Sequence, residues 1–260
     1  VRVGATTHAV AWPAVLALAG TAGGPLGSFL RRVVEGFENN LVREGRYLLI
    51  LDGLATTVVI SVLSCLLGTA LGALVCFLRM SPRRVLSGSA RAYISVLRGT
   101  PVLVLLMLLY YVAFASVNVS AVFVAVLAFG LNFGAYAAEI YRTGIESVDP
   151  GQTEAGIALG FTPYAAFRHV VLPQTVRRIL PVYKGELVSM VKMTSVVGYI
   201  AVQDLTKASD IIRSRTFDAF FPLVMVAVLY FLISGLAIRA LGSVERWTDP
   251  RRRGARAAGA

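Results

Sequence analysis

The chain has 260 residues, 57% of them hydrophobic and only 15% charged, with a mean hydropathy of +0.72. Soluble domains carry about 25% charged residues, and the apolar residues here fall in long uncharged runs, so a soluble globular protein is excluded. The formal net charge of +11 comes from arginines gathered between and after those runs, a pattern of membrane topology rather than of nucleic-acid binding.

Taken in chain order, residues 1–46 read as an N-terminal extension. Ala9 to Gly20 is apolar but short for a span, and Thr21-Ala22-Gly23-Gly24-Pro25 breaks it. A signal-like segment, a weak sixth span and a poorly ordered extension all stay open there, as does the true start, because the first residue is Val1. Leu30, Val33, Val34, Phe37 and Leu41 fall at helical spacing with Arg31, Arg32, Glu35 and Glu38 between them. That pattern predicts a helix lying in the outer membrane interface.

Leu54 to Leu78 holds no charge and is closed by Asp52 and Arg79, which predicts the first span. It contains Cys65 and Cys76, which sit too far apart on one helix to bond to each other. His8 and His169 are equally isolated, so no metal site or histidine-based catalysis has a constellation behind it. Gly99 to Ala138 is also free of charge. At about 1.5 Å per residue one helix of that length would be about twice the bilayer core, so it must be two spans, turning at Ser116–Ser120. A fourth span runs from roughly Pro181 to Val202, interrupted by Lys184, Glu186 and Lys192, and Ala219 to Ile238 makes the fifth. The fold class is therefore all-α: a polytopic membrane bundle over residues 47–247 with a basic tail at 248–260.

Basic residues set the orientation. Arg79, Arg83, Arg84, Arg91 and Arg98 follow span one, Arg142, Arg168, Arg177 and Arg178 surround the Asp149 loop, and six arginines close the chain from Arg239 onward. The opposite side has no basic residue near Ser116 and only Lys207, Arg213 and Arg215 before span five. The loop and the C-terminus are thus expected in the cytoplasm and the residues before Leu54 outside. The Arg251–Arg256 tail reads as a solvated or lipid-facing basic end rather than a nucleic-acid contact.

Between spans three and four lies the best-punctuated stretch, Asp149 to Gln174. Asp149 can cap a helix, Pro150 fits its first position, and Gln152 stands where a capping box wants an acceptor. Gly160 offers a left-handed exit. Thr162 and Pro163 repeat the start for a second helix, expected to end at or before Pro173. Two short helices at an angle, projecting from a membrane protein, suit docking onto a soluble partner.

These residues carry a family resemblance. Glu154-Ala155-Gly156, three residues, Gly160, nine residues, then Val170-Val171-Leu172-Pro173 resembles the EAA loop of bacterial ATP-binding-cassette importer permeases. Gly156 stands where the family has its second alanine, which should loosen the first helix by about 0.8–1 kcal/mol. Val170 stands in place of isoleucine. Arg98-Gly99-Thr100-Pro101 before an apolar run, Leu131 to Ile145, and Lys192-Met193-Thr194-Ser195 followed by Gln203-Asp204-Leu205 resemble the polar amino-acid uptake subfamily. Thr100 is read as a cap with Pro101 at the first helical position.

The resemblance, which covers roughly residues 47–247, implies a type I importer-like transmembrane domain in the bacterial inner membrane. It also implies the partners: two copies of an ATPase subunit, a second permease copy (identical or similar), and an extracytoplasmic solute-binding protein delivering a polar amino acid. ATP and magnesium would be held by the ATPase, with no cofactor in this chain and no nucleic-acid partner. Within the loop, Glu154 and Ala155 would form the docking face, Gly160 would set the bend, and Leu172 and Pro173 would fix where the loop rejoins span four.

Candidate lining residues of a substrate path are Asn132, Tyr136, Glu139, Lys192, Thr194 and Ser195. Lys192 lies near the middle of span four, where a lysine costs about 2.5–3.5 kcal/mol on insertion scales, so it needs a polar cavity or an ion pair. Glu139 can instead pair with Arg142 on the next turn, and the uncharged groups can instead bond between helices. Gly130, Gly134, Gly185 and Gly198 would permit close helix approach. No Gly-x-x-x-x-Gly-Lys-Ser/Thr loop and no catalytic triad or paired carboxylate is present, so the chain reads as a transporter subunit and not an enzyme. The rivals are an ion-gradient-driven secondary transporter, against which the lack of an internal repeat speaks, and a membrane sensor or scaffold.

Overall fold

The computed structural model describes Ser28 and residues 34–248. Its long helices are α1 (Tyr47–Arg79), α4 (Ala121–Glu146), α7 (Leu172–Met193) and α9 (Phe220–Thr248). Between them run α2 (Arg84–Gly99), α3 (Val102–Leu108), α5 (Pro150–Ala158), α6 (Pro163–Ala166) and α8 (Leu205–Thr216). Among the described residues there is no strand. Tyr47–Arg79, Ala121–Glu146 and Phe220–Gly242 are each long and apolar enough to cross a membrane. Two bent pairs, α2 with Val102–Ala113 and Pro163–Ile200 with α8, bring the number to five if each pair is one span.

The bends correct the sequence reading. The stretch after span one is not a loop. Ala90, Ile94 and Leu97 put one buried face on α2 at helical spacing, while Arg84 and Arg91 are exposed. The chain then turns through 106° into Val102–Ala113. Thr100 does not cap the second helix. Proline at 101 drives Thr100 out of the helical region (φ −102°, ψ 130°), which ends α2, and the Thr100 hydroxyl donates backwards to the Val96 carbonyl at 2.8 Å. Nor does Pro173 end a helix. Phe167–Val171 forms one wide turn that carries α6 straight into α7, so Pro173 falls in the first turn of α7, where no N–H is required. The fourth span therefore begins earlier than Pro181, which sits inside the helix.

Of the expected interfacial helix, Leu30 and Val33 lie outside the described residues. Val34 to Phe37 is helical and passes into a wide turn at Glu38–Val42. Leu41 is buried with Ile50, Leu205, Ile212 and Val226. Asn40, fully buried, donates to Asp218 at 2.7 Å and accepts from the Thr216 hydroxyl at 2.9 Å. The segment is thus stitched to the turn between α8 and α9.

The core is the crossing of α1 with α4. Gly68 and Gly72 on one helix face Gly130 and Gly134 on the other, so the backbones meet directly, the way membrane helices gain packing without a hydrophobic driving force. A Cβ at Gly68 would stand 2.6 Å from Phe133 Cδ1 and 2.8 Å from the Gly130 carbonyl oxygen. Gly130 and Gly134 play the part expected of them, whereas among the described residues nothing lies within 4 Å of where a Cβ at Gly185 would stand. Towards the Asp204 end, Ile60, Leu106, Phe129, Val197 and Ile200 close the bundle.

Asp204 holds that end together. It is fully buried and caps α8, accepting from the amides of Thr206 at 3.1 Å and Lys207 at 2.9 Å, and it accepts from the Tyr230 hydroxyl of α9 at 3.2 Å. Helix caps contribute about 1 kcal/mol, and an orphaned buried partner costs about 1–3 kcal/mol more. Asp204→Ala is accordingly expected to lower the unfolding temperature of the detergent-purified chain by several degrees. An unchanged melting profile would mean that the cap carries no weight.

Candidate functional site

Two places gather the residues singled out above. The first is the Asp149 loop. Asp149 accepts from the Gly151 amide at 2.8 Å and Pro150 opens α5. Gly160 has φ +90°, with its amide on the Ile157 carbonyl (2.9 Å) and the Phe161 amide on the Gly156 carbonyl (3.1 Å), a Schellman stop. The Thr162 hydroxyl then accepts from the Ala165 amide at 3.2 Å to start α6. Gly156, the departure from the family pattern, is buried where α5 meets α6. A Cβ there would lie 3.1 Å from that of Ala166, so the glycine lets the two helices close up as well as softening the first.

Glu154 and Ala155 are exposed, as are Leu172 and Pro173. Around them Ile157, Leu159, Phe161 and Tyr164 also face outwards, Leu159 at 80% and Tyr164 at 71% exposure. The loop thus presents an apolar knuckle on short, capped helices. Gln152 does not complete a capping box: its side-chain oxygen accepts from Gln174 at 3.2 Å, across the base of the loop.

The second place is a cavity of 290 Å³ at the bend between α2 and α3, lined by the whole Arg98–Pro101 turn together with Val102, Asn132, Tyr136 and Met193. The Arg98 guanidinium lies 4.9 Å above the Tyr136 ring, a cation–π contact that aims the charge. Asn132 is buried and donates to the Leu97 carbonyl at 3.0 Å, tying the last turn of α2 to α4. An uncapped carbonyl at such a break would be costly at membrane depth, so the asparagine fixes the shape of the cavity.

The remaining candidates go elsewhere. Glu139 accepts from Arg142 at 2.8 and 3.2 Å, with Arg79 4.0 Å away; Arg142 also bonds Glu146. Its charge is spent on arginines. Thr194 is fully buried and donates to the Val191 carbonyl at 2.7 Å. Ser195 borders a different, polar cavity of 320 Å³ beside Asp204, Lys207 and Asp210. Lys192 is exposed on the chain's surface, and its ammonium makes no hydrogen bond or ion pair among the described residues. Sequence reasoning missed Met193 as a wall and Arg98 as the cavity's cation. The Gly99-Thr100-Pro101 break was the available signal. A larger groove of 670 Å³ between α1, α4 and α7, walled by Phe77, Tyr141, Phe167 and Ile179, is almost wholly apolar and unsuited to a zwitterion.

Residues 66–250 match the family described as binding-protein-dependent transport system inner membrane component. The chain is 35% identical over 198 residues to a putative glutamine transport system permease protein of Rickettsia prowazekii, covering 74% of this chain and 91% of that one. It is 36% identical over 189 residues to a probable amino-acid ABC transporter permease protein of Bacillus subtilis, covering 72% and 84%. Among solved structures it resembles an amino acid ABC transporter crystallised with histidines, with a TM-score of 0.69 and 38% identity over 76% of this chain and 93% of that one.

Proposed function

This chain belongs to the family of binding-protein-dependent transport system inner membrane components, and on that premise we propose that it is the permease subunit of an importer for a polar amino acid. An extracytoplasmic binding protein delivers the cargo at the Asp204 end. Two copies of a separate ATPase, carrying ATP and magnesium, dock on the Asp149 end of this chain and of a second permease. The positive-inside bias supports a cytoplasmic position for that end and for the C-terminus, with the N-terminus outside.

The observation that carries the reading is the knuckle. Glu154 and Ala155 sit among exposed Ile157, Leu159 and Tyr164, on helices held by Asp149, Gly160 and Thr162. Closure of the ATPase pair draws two such knuckles together and tilts the spans between inward-open and outward-open states. Purification of the tagged chain in mild detergent should bring down the ATPase. Reconstituted with its partners, it should accumulate amino acid only with ATP. Uptake that survives ATP depletion and collapses with an uncoupler would overturn the reading in favour of a gradient-driven carrier.

The cargo's route passes the bend. Every amino acid carries a carboxylate, and Arg98, set over the Tyr136 ring in the lining of the 290 Å³ cavity, supplies its counter-charge. A hydrogen bond to a charged group contributes about 1.5–3 kcal/mol, so Arg98→Gln should raise the KM for uptake by about tenfold or more, with ATPase docking intact. An unchanged KM would remove Arg98 from the path.

A further inference from the structure

The loop does not hang from its spans by two flexible ends. Where α4 runs into α5 and α6 runs into α7, the two strands of chain meet in antiparallel order at three successive levels. At the first, Gly144 lies flush against α7: a Cβ there would overlap the Ile179 side chain and stand 3.2 Å from Thr175 Cγ2. One turn further out, the Arg178 guanidinium donates to the Ser147 carbonyl and, at 3.2 Å, to the Ser147 hydroxyl, which itself donates to the Gly144 carbonyl at 2.7 Å. Outermost, the Gln174 amide reaches both the Gln152 side chain at 3.2 Å and the Val170 carbonyl at 3.1 Å.

Gln174 and Arg178, like Thr175 and Ile179, stand four residues apart on one helix, so two neighbouring rows on one side of α7 make every one of these contacts. The Arg178 contact is the strong one, a charge-assisted bond to the main chain just where α4 ends and its last carbonyls lack helical partners.

We propose that this neck is the element that makes the knuckle and the two spans move as one lever, and that Arg178 and Gln174 are positioning residues for energy coupling. A knuckle pushed by an ATPase can tilt α4 and α7 only if the loop cannot fold back on its own base. The steric contact at Gly144 resists closure of the angle, and the bonds at Ser147 and Gln152 resist its opening. The same neck makes α4, whose Asn132 and Tyr136 form one wall of the cavity at the α2–α3 bend, answer directly to the loop. The inference rests on the permease reading above but adds to it. The exposed docking residues would grip the ATPase equally well with or without the neck.

The test uses the complete transporter, this chain with its ATPase and binding protein, in proteoliposomes, and reads amino acid accumulated per ATP hydrolysed. The Arg178→Ala, Gln174→Ala double variant should still co-purify with the ATPase and still hydrolyse ATP. Its coupling ratio should fall about three- to tenfold, the scale on which changes along a coupling network act. Arg178→Lys, which restores the charge but not the two-pronged contact, should recover part of the ratio. A role confined to stability would lower folded yield, uptake and hydrolysis together and leave the ratio alone, and that result, or a ratio equal to wild type, would overturn the lever. A wild-type complex that hydrolyses ATP and moves no amino acid would instead overturn the transport function, and the lever with it.

Discussion

Gly160→Trp is expected to stop ATP-driven uptake while leaving the membrane bundle folded. The residue has φ +90°, a conformation an L side chain adopts at a cost of about 1–3 kcal/mol, and its amide is committed to the Ile157 carbonyl. Nothing lies within 4 Å of where a Cβ would stand, so the first atom of the new side chain meets open space. The indole would project from the tip of the knuckle into the surface that meets the ATPase. Both effects act on the loop and neither touches the spans. Uptake in proteoliposomes should drop by about tenfold or more, and less ATPase should co-purify. Gly160→Asn, which tolerates a left-handed backbone and is small, should retain much of the activity. If the tryptophan variant took up amino acid and bound its ATPase like wild type, the knuckle would not be the docking element.

The second large effect is expected at the centre of the bundle. At Gly72 an added Cβ would meet the Ala137 Cβ at 2.6 Å and the Ala138 amide and Gly134 carbonyl at 3.1 Å, two of the three being backbone that cannot rotate away. Overpacking costs about 1–3 kcal/mol even where side chains can adjust, so Gly72→Leu must push α1 off α4. The expected outcome is loss of monodisperse protein on size exclusion in detergent, with no uptake to measure. Gly88→Ala, on α2 with open space around it, is the control and should be neutral or slightly stabilising. A Gly72→Leu protein that purified and melted normally would mean that the two helices do not meet as described.

The parts of the architecture that were legible in the sequence are those written in local chemistry. Asp149, Pro150, Gly160, Thr162 and Pro163 act within a few residues of themselves, and each does in the structure what its type dictates. Uncharged length likewise marks α1, α4 and the first part of α9 as long enough to cross a membrane. What stayed hidden depends on distant neighbours. Arg84, Arg91 and Arg98 depress the hydropathy of α2, so its one-sided burial against α1 and α4 was not visible. Gly68 and Gly72 look like any glycines in an apolar run until Gly130 and Gly134 are laid across them. Glu139 and Lys192 offered opposite charges at similar depth. The Glu139–Arg142 pair was legible from its spacing and is made in the structure, whereas only folding shows that Lys192 faces out of the chain. Gln152 obeyed a partner twenty-two positions away rather than the box three residues behind it.

The outward-facing Lys192 has a consequence for how much of this protein a cell can usefully keep. Fatty acyl chains penalise an ammonium at that depth by about 2.5–3.5 kcal/mol, so a solitary copy is a poorly tolerated guest in its own bilayer. Synthesis in excess of the other subunits should therefore yield surplus that is cleared by membrane proteases, and gene dosage of the whole set should govern how much survives.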